Sequence, residues 1–316
     1  MQKDKILTSL LTLLAAVFVC VAFVIDVSAQ QNGKNGKQIT IPVTVHADSD
    51  RMRAIADKLQ LEDFIVRENK QKQQIISVKR PSETPIILSI LIQDDLVSHV
   101  GNEIKGIKEF IQNLPNGSQV MVGYITAGSL RVTQEFTDDL ARATESLRIP
   151  ISSTTASPYS PYVELLDAVR LFDGRPVGKR MILIISDGLD LSQGFRGGSP
   201  MFSTHLERAI RAAQQRGIAV YSFYAPSTGL TSRSRLASTY GQGSLNRLSD
   251  ETGGEAFFSG RDFVTFDPYF KELNELISNQ WLITYRSTNT GKSFRRVEVK
   301  TDFDLHLHYP TGYYPK

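Results

Sequence analysis

One apolar run, Ile86–Ile92, constrains the fold of this chain more than any other feature of its sequence. Six of its seven residues are apolar, a pattern typical of a strand that helices cover on both faces. The run ends at Asp94 and Asp95, and a second apolar run, Met181–Ile185, ends shortly before Asp187. Parallel strands bring their carboxyl ends to one edge of a sheet, where open α/β sheets bind ligands. The sequence therefore predicts a site with several carboxylates at this edge.

Strand-like and helix-like patterns alternate between residues 85 and 278. Val100–Leu114, for example, has apolar residues at helical spacing, and the strand-like Gln119–Thr126 follows it. Such alternation implies right-handed crossovers. We therefore predict an α/β domain over residues 85–278 with a doubly wound, mostly parallel sheet. Within it, Pro226–Gly243 is rich in Ser, Thr, Gly and Arg and predicts a mobile surface loop before a short helix, Leu245–Thr252.

The two chain segments that flank this domain have the short alternating patterns of β-strands. They cover residues 39–80 and residues 279–316, and the second has no helical pattern between its strands. Neither segment is large enough to bury a core alone, so each needs a partner. We predict a small accessory antiparallel β domain built from both chain ends, in which the C-terminal strands pair as meanders in one sheet with residues 39–80. The polar residues 30–38 predict a flexible leader.

The first 29 residues have the pattern of a secretion signal. Lys3 and Lys5 form a basic start, Leu7–Ile25 is apolar, and the small residues Val27–Ala29 suit cleavage before residue 30. A retained membrane anchor is the alternative interpretation. Cys20 is the only cysteine, so cleavage would leave a chain without disulfide or thiolate chemistry. We expect an exported protein that is periplasmic, at the cell surface or extracellular.

Charge and motifs exclude several classes of function. The chain has 36 Lys and Arg against 33 Asp and Glu, with a net charge of +3 and no block of like charge, so nucleic acid is not an expected partner. After signal cleavage we expect no membrane insertion, because no other segment is long and apolar enough. The motifs His-Glu-x-x-His and Gly-x-Ser-x-Gly are missing, so we expect no enzyme. His306 and His308 predict a polar sheet face, with metal chelation as the alternative.

Four motifs in a fixed order suggest a family. The first is a Leu, an Asp-Phe pair, a Glu and a Gln-Ile within Leu61–Glu68 and Gln74–Ile75, and the second is the strand Ile182–Gly188. The third and fourth are Leu273–Tyr285 and Gly312–Tyr314. Together they cover nearly the whole chain after the signal, and they resemble the von Willebrand factor type A-related proteins, a secreted bacterial group common in acidobacteria. The resemblance implies a von Willebrand factor type A-like fold.

The resemblance also implies a divalent cation on top of the sheet, held by an Asp-x-Ser-x-Ser run, a threonine and a later Asp. Asp94 matches the first position, Ser98 the second serine and Asp187 the later Asp, whereas Leu96 replaces the first serine. Oxygen ligands of this kind suit Mg²⁺, Mn²⁺ or Ca²⁺. The remaining candidate ligands are Asp95, Thr154, Thr155 and Ser160.

We therefore expect a secreted, non-enzymatic protein-binding module with a degenerate metal-ion-dependent adhesion site. Its partner is expected to be a protein that docks on the top of the α/β domain, where the loops Ser152–Ser160 and Ser192–Pro200 shape the surface. The alternative is a metal-independent structural subunit of a cell-envelope complex. The residues predicted to touch the partner are Asp94, Asp95, Asp187 and Asp190.

Overall fold

The computed structural model describes residues 36–47, 49–80, 85–176, 178–258 and 265–315. The predicted signal peptide and most of the predicted leader lie outside these residues. Within the described residues, no helix has both the length and the apolar character that a bilayer span requires.

The strands are β1 (Lys37–His46), β2 (Phe64–Glu68), β3 (Gln71–Lys72), β4 (Gln74–Lys79), β5 (Ile86–Gln93), β6 (Gln119–Thr126), β7 (Ser129–Thr137), β8 (Lys179–Ser186), β9 (Ile218–Tyr224), β10 (Ala256–Phe257), β11 (Gln280–Ser287), β12 (Arg295–Thr301), β13 (His306–His308) and β14 (Gly312–Tyr313). The helices are α1 (Asp50–Ala56), α2 (Ile104–Gln112), α3 (Leu140–Glu145), α4 (Pro161–Arg170), α5 (Gly194–Gly197), α6 (Thr204–Arg216), α7 (Arg235–Thr252) and α8 (Asp267–Ser278).

The central sheet has the strand order β10-β9-β8-β5-β6-β7. All neighbours are parallel except β7, which runs antiparallel to β6. Every residue of β5, β8 and β9 is buried, because apolar clusters cover both faces of the sheet. Helices α2 and α8 pack on one face, and α4, α6 and α7 pack on the other. This arrangement confirms the predicted α/β fold with a doubly wound, mostly parallel sheet.

The chain ends form antiparallel sheets, as the fold prediction required, with the orders β13-β1-β11-β4 and β14-β12-β2-β3. The expected single sheet of C-terminal meanders is wrong, because β11 pairs with β1 and β4 whereas β12 pairs with β2. Strands of both sheets contribute alternate apolar side chains, such as Val66, Ile283 and Val299, to one shared core. One sheet alone would leave this apolar face in water, so two facing sheets are the stable solution.

A buried carboxylate, Glu68, joins the two chain ends inside this accessory domain. Its Oε2 accepts hydrogen bonds from the hydroxyl groups of Tyr285 at 2.9 Å and Tyr313 at 2.8 Å. Its Oε1 accepts one from Ser287 at 2.8 Å and lies 3.7 Å from Arg295. Since a buried charge is tolerated only when it is paired and hydrogen bonded, these contacts fix the relative position of the chain ends.

The predicted mobile loop Pro226–Gly243 is wrong over its second half, because α7 already begins at Arg235. Gly241 and Gly243 therefore lie inside a helix. Glycine normally weakens a helix, but here a side chain at Gly241 would place its Cβ only 1.9 Å from the carbonyl oxygen of Asp187. The glycine allows α7 to approach the end of β8, which is the edge of the sheet where the candidate site lies.

Candidate functional site

Three segments lie above the C-terminal edge of the central sheet, and we call their exposed surface the loop face. It comprises residues 148–160, 188–203 and 226–236. Backbone hydrogen bonds connect these segments to one another and to the end of β5. The Leu191 N–H donates to the carbonyl oxygen of Tyr159 at 2.7 Å, and the Thr228 N–H donates to that of Asp95 at 2.8 Å. The loop face is therefore a connected layer over the strand ends.

Asp94, the first predicted metal ligand, is fully buried and forms an ion pair with Arg148. Nη1 and Nη2 of the guanidinium each donate to a different carboxylate oxygen, both at 2.7 Å. The Ile151 N–H donates to Oδ1 at 2.9 Å. The same guanidinium lies over the ring of Tyr124, 3.8 Å from its centroid. Bidentate pairs of this kind are strong and directional, so Asp94 holds residues 148–151 in place.

Asp95 and Asp187 lie next to each other and share the side-chain amide of Gln93. Its Nε2 donates to Oδ1 of Asp95 at 2.7 Å and to Oδ1 of Asp187 at 3.1 Å. Its Oε1 accepts from the Asp187 N–H at 3.2 Å and from the hydroxyl of Ser186. All of these groups are buried. One amide thus bridges the ends of the neighbouring parallel strands β5 and β8.

The buried acids also hold the loop face from below. Oδ2 of Asp187 accepts from the Thr231 hydroxyl at 3.0 Å, which fixes the segment 226–236. Asp190 accepts from both the N–H and the hydroxyl of Ser192, at 3.0 and 2.6 Å, and from the hydroxyl of Ser203. These bonds close the segment 188–203 on itself. Each acid therefore organises a loop.

Burial raises the pKa values of the Asp95 and Asp187 carboxyl groups. For Asp187, burial and then the charge of Asp95 raise the pKa to about 6, against the hydrogen bonds from Leu189 and Gln93 that lower it. For Asp95, burial is again the largest cause, and the charge of Asp94 adds to it. Two neighbouring carboxylates away from water disfavour each other's ionisation.

The predicted hydroxyl ligands lie in different surroundings. Ser98 is exposed at the start of a short 3₁₀ helix, and Thr155 is exposed with its hydroxyl 3.0 Å from that of Ser153. Ser160 is buried at the start of α4, where its hydroxyl makes no hydrogen bond with the described residues. Within the described ranges, no group of three or more His, Cys, Asp or Glu side chains is arranged to hold a metal ion. Of the predicted set of Asp94, Ser98 and Asp187, Asp94 has both carboxylate oxygens engaged by Arg148, which already supplies its positive partner.

The prediction that four acids contact a partner is corrected by their burial. Asp94, Asp95, Asp187 and Asp190 are at most 4% exposed, because the loop face covers them. The loop face exposes apolar side chains instead, with exposed fractions up to 83% for Met201. These side chains are Ile149, Ile151, Tyr159, Phe195, Met201, Phe202, Leu230 and Leu236.

Sequence reasoning missed Gln93, Arg148 and Thr231 as parts of the site. Gln93 had a usable signal, since it ends the same buried strand that leads into the acids. Arg148 and Thr231 had none, because they lie 54 and 44 residues from the carboxylates that they contact. Contacts over such separations depend on how the loops fold back over the sheet.

A pH dependence of stability follows from Glu164 in the first turn of α4, since its Oε2 is buried and accepts no hydrogen bond from the described residues. Burial raises its pKa from 4.5 to about 7, so the folded state favours the protonated form. Its contribution is complete below the unfolded pKa and is lost as the pH rises through the folded pKa. Between about pH 5 and pH 8, we expect Glu164 to remove about 2 kcal/mol of unfolding free energy.

Glu164→Gln tests this expectation, because glutamine keeps the shape and cannot ionise. Urea unfolding at several pH values should give a flatter pH profile for the variant than for the wild type. The pKa of Asp187 is also raised, but Asp187 is present in both proteins. The difference between the two pH profiles therefore reports Glu164 alone. Parallel profiles would show that Glu164 titrates at an ordinary pKa in the folded protein.

The chain matches no family model and no curated protein. Several solved structures are similar in fold. The BatB protein of Bacteroides thetaiotaomicron has a TM-score of 0.43 and 18% identity, over 62% of this chain and 97% of that one. An aerotolerance-related membrane protein of Bacteroides fragilis has a TM-score of 0.41 and 16% identity, over 60% and 98%. The SpRpn10 VWA domain has a TM-score of 0.39 and 11% identity, over 62% and 92%. None of these likenesses extends to function.

Proposed function

We propose that this chain is an exported, non-enzymatic protein-binding module that binds its partner through the loop face. The observation that carries the proposal is a contrast at the C-terminal edge of the central sheet, between the buried acids and the loop face above them. The acids that organise the loops are buried, whereas large apolar side chains point outward. The signal-like residues 1–29 support export.

The apolar side chains support binding because of where they lie. Of the twelve large hydrophobic side chains that are exposed in the described chain, eight belong to the three segments of the loop face. Met201 and Phe202 are adjacent and 83% and 68% exposed, and Tyr159 on a neighbouring segment is 77% exposed. Single exposed apolar residues need no explanation, but their concentration on one surface marks an interaction site. Aromatic residues and methionine are also enriched at protein interfaces.

The charges of the loop face indicate the chemistry of the partner. Arg196, Arg233 and Arg235 are exposed on its segments, and the one acid of these segments, Asp190, is buried. The surface is thus apolar and cationic. Interfaces work by complementary charge around an apolar centre, so the fitting partner is a protein segment that combines acidic and apolar side chains.

The same geometry supports a binding role over a catalytic one. A catalytic site needs a nucleophile, a base and an orienting group that can reach a substrate. Beneath the loop face, Asp187 and Asp95 are carboxylates with raised pKa values, but both are buried and held by Gln93. The large exposed apolar side chains and the arginines above them bind and do not transfer protons at neutral pH.

Selection from a displayed library of random peptides, carried out in EDTA, tests the proposed chemistry. We expect the recovered peptides to be enriched in Asp and Glu together with aromatic or aliphatic residues. Their affinity should fall with added salt, because exposed charges are screened. Recovered peptides without an excess of acidic residues would contradict the proposal.

Charge reversal then tests the surface. Arg233→Glu combined with Arg235→Glu is expected to weaken a recovered peptide at least about tenfold. The matched control is Lys292→Glu with Arg296→Glu, which makes the same charge change at exposed positions of the accessory domain. Equal weakening by both double variants would show that net charge, and not the loop face, attracts the peptide.

A further inference from the structure

We infer that the side-chain amide of Gln93 takes the place of a metal ion between Asp95 and Asp187, so that the edge of this sheet is built to work without a cation. Nε2 lies within hydrogen-bond distance of both carboxylates, at 2.7 and 3.1 Å. The amide therefore supplies between two acids the positive partner that a cation would supply. The inference concerns the layer beneath the loop face and holds whether or not the loop face binds a protein.

The orientation of the amide follows from its neighbours. The oxygen Oε1 faces two donors, the Asp187 N–H at 3.2 Å and the Ser186 hydroxyl. If the amide were turned over, its oxygen would face two carboxylates and its NH₂ group would face an N–H. Both contacts would be repulsive, and all of these groups are buried. The NH₂ group therefore points at the acids, and it is a donor that cannot ligate a metal.

The carboxylate oxygens of this pair are mostly engaged by protein donors. Mg²⁺ keeps several waters, but it still needs one or two carboxylate oxygens that are open to it. Oδ1 of Asp95 and Oδ1 of Asp187 are engaged by Gln93, and Oδ2 of Asp187 is engaged by Thr231. Oδ2 of Asp95 is the oxygen of the pair that accepts no hydrogen bond from the described residues. The third acid, Asp94, forms an ion pair with the guanidinium of Arg148.

As a consequence, bonds within the protein hold the loop face in its position. The segment 226–236 is held by Thr231 on Asp187, and the segment 148–160 is held by Arg148 on Asp94. Since the bonds that hold the acids are internal, removing metal ions should leave both segments where they are. Affinity of the loop face for a partner should then be the same in EDTA and in Mg²⁺.

The first test is a calorimetric titration of the wild-type protein with MgCl₂, MnCl₂ and CaCl₂. We expect no saturable binding up to millimolar concentration, and a melting temperature that changes by less than about 1 °C relative to a NaCl control of equal ionic strength. Binding of one equivalent of metal that Asp187→Asn abolishes would overturn the inference directly. The titration of the wild type itself needs no variant, and Asp187→Asn is required only if the wild type binds metal.

The second test is Gln93→Glu, which keeps the shape of the side chain and replaces its NH₂ group by an oxygen. The variant therefore has a third carboxylate beside Asp95 and Asp187. Three carboxylates at one point repel one another unless a cation joins them. The variant should therefore melt lower than the wild type in EDTA and recover by about 5 °C or more with saturating Mn²⁺ or Mg²⁺. Gln134→Glu, the same substitution on the edge strand β7, should show no response to metal.

The two possible results for Gln93→Glu lead to opposite conclusions. A metal response in Gln93→Glu with none in the wild type supports the inference, because the amide alone then decides whether a cation enters. A folded Gln93→Glu protein that ignores metal would overturn it, since the two acids would then not form a place for a cation. Neither result affects the peptide selection. A failure of this inference can therefore be distinguished from a failure of the proposed binding function.

Discussion

Replacing Arg148 with alanine is expected to lower the free energy of unfolding by about 3 to 5 kcal/mol. Asp94 is fully buried and Arg148 is its only ionic partner among the described residues. Without the guanidinium, the carboxylate would stay buried and keep the hydrogen bond from the Ile151 N–H. One such bond does not offset the free energy that the charge loses when it leaves water. The variant would also lose the stacking of the guanidinium on Tyr124.

Urea unfolding followed by circular dichroism measures this effect, and the chain offers a matched control. Arg170 forms an ion pair with Asp167 at the same distance of 2.7 Å, but both side chains are about half exposed. Arg170→Ala should therefore cost less than about 1 kcal/mol. Arg148→Lys should fall between the two, because it keeps the charge and loses the bidentate geometry. Equal costs for Arg148→Ala and Arg170→Ala would show that the Asp94 pair does not hold the site together.

Replacing Gly241 with alanine is the second change with a large expected effect, at least about 3 kcal/mol of unfolding free energy. The added Cβ would lie 1.9 Å from the carbonyl oxygen of Asp187. That neighbour is backbone, and it belongs to the turn into Gly188, whose φ of +67° few other residues adopt. Helix α7 would have to move away from the end of β8, and the contact of Asp187 with Thr231 would change with it.

Gly243→Ala in the same helix is the control. Its Cβ would lie 3.0 Å from the Pro200 ring, which belongs to a loop and can shift. The gain in helix propensity of up to about 1 kcal/mol offsets part of that contact, so the net change should stay within about 1 kcal/mol. The comparison uses denaturant unfolding of both variants. If Gly241→Ala were as stable as Gly243→Ala, the close approach of α7 to Asp187 would not exist in solution.

The central sheet was predictable because its signal is local. The apolar runs in β5 and β8 exceed what a half-exposed strand would carry, and each ends in acids at the predicted edge. The first half of α7 was not predictable in the same way. Gly241 and Gly243 lower helix propensity, and only the packing against Asp187 and Pro200 explains why glycine is needed there.

The candidate site was predictable in its position and not in its chemistry. The sequence places Asp94, Asp95 and Asp187 at one edge, and the structure has them there. Their burial depends on loops that fold back over the strand ends, and on Arg148, which is distant in sequence. No local pattern encodes such long-range contacts. The metal-site pattern that the sequence resembles includes Asp94 and Asp187, and it does not include the amide of Gln93 that bridges Asp95 and Asp187.

We propose that the apolar loop face binds a protein segment without a metal ion. The most direct test of this proposal is the dissociation constant of one recovered acidic peptide, measured by fluorescence anisotropy in EDTA. The proteins compared are the wild type, Phe202→Ser and Phe303→Ser, because Phe303 is an exposed phenylalanine of the accessory domain. We predict that Phe202→Ser weakens binding about tenfold or more and that Phe303→Ser leaves it unchanged. Unchanged affinity in Phe202→Ser would show that the peptide does not bind at the loop face, and binding that appears only when Mg²⁺ is added would show that binding needs a metal ion.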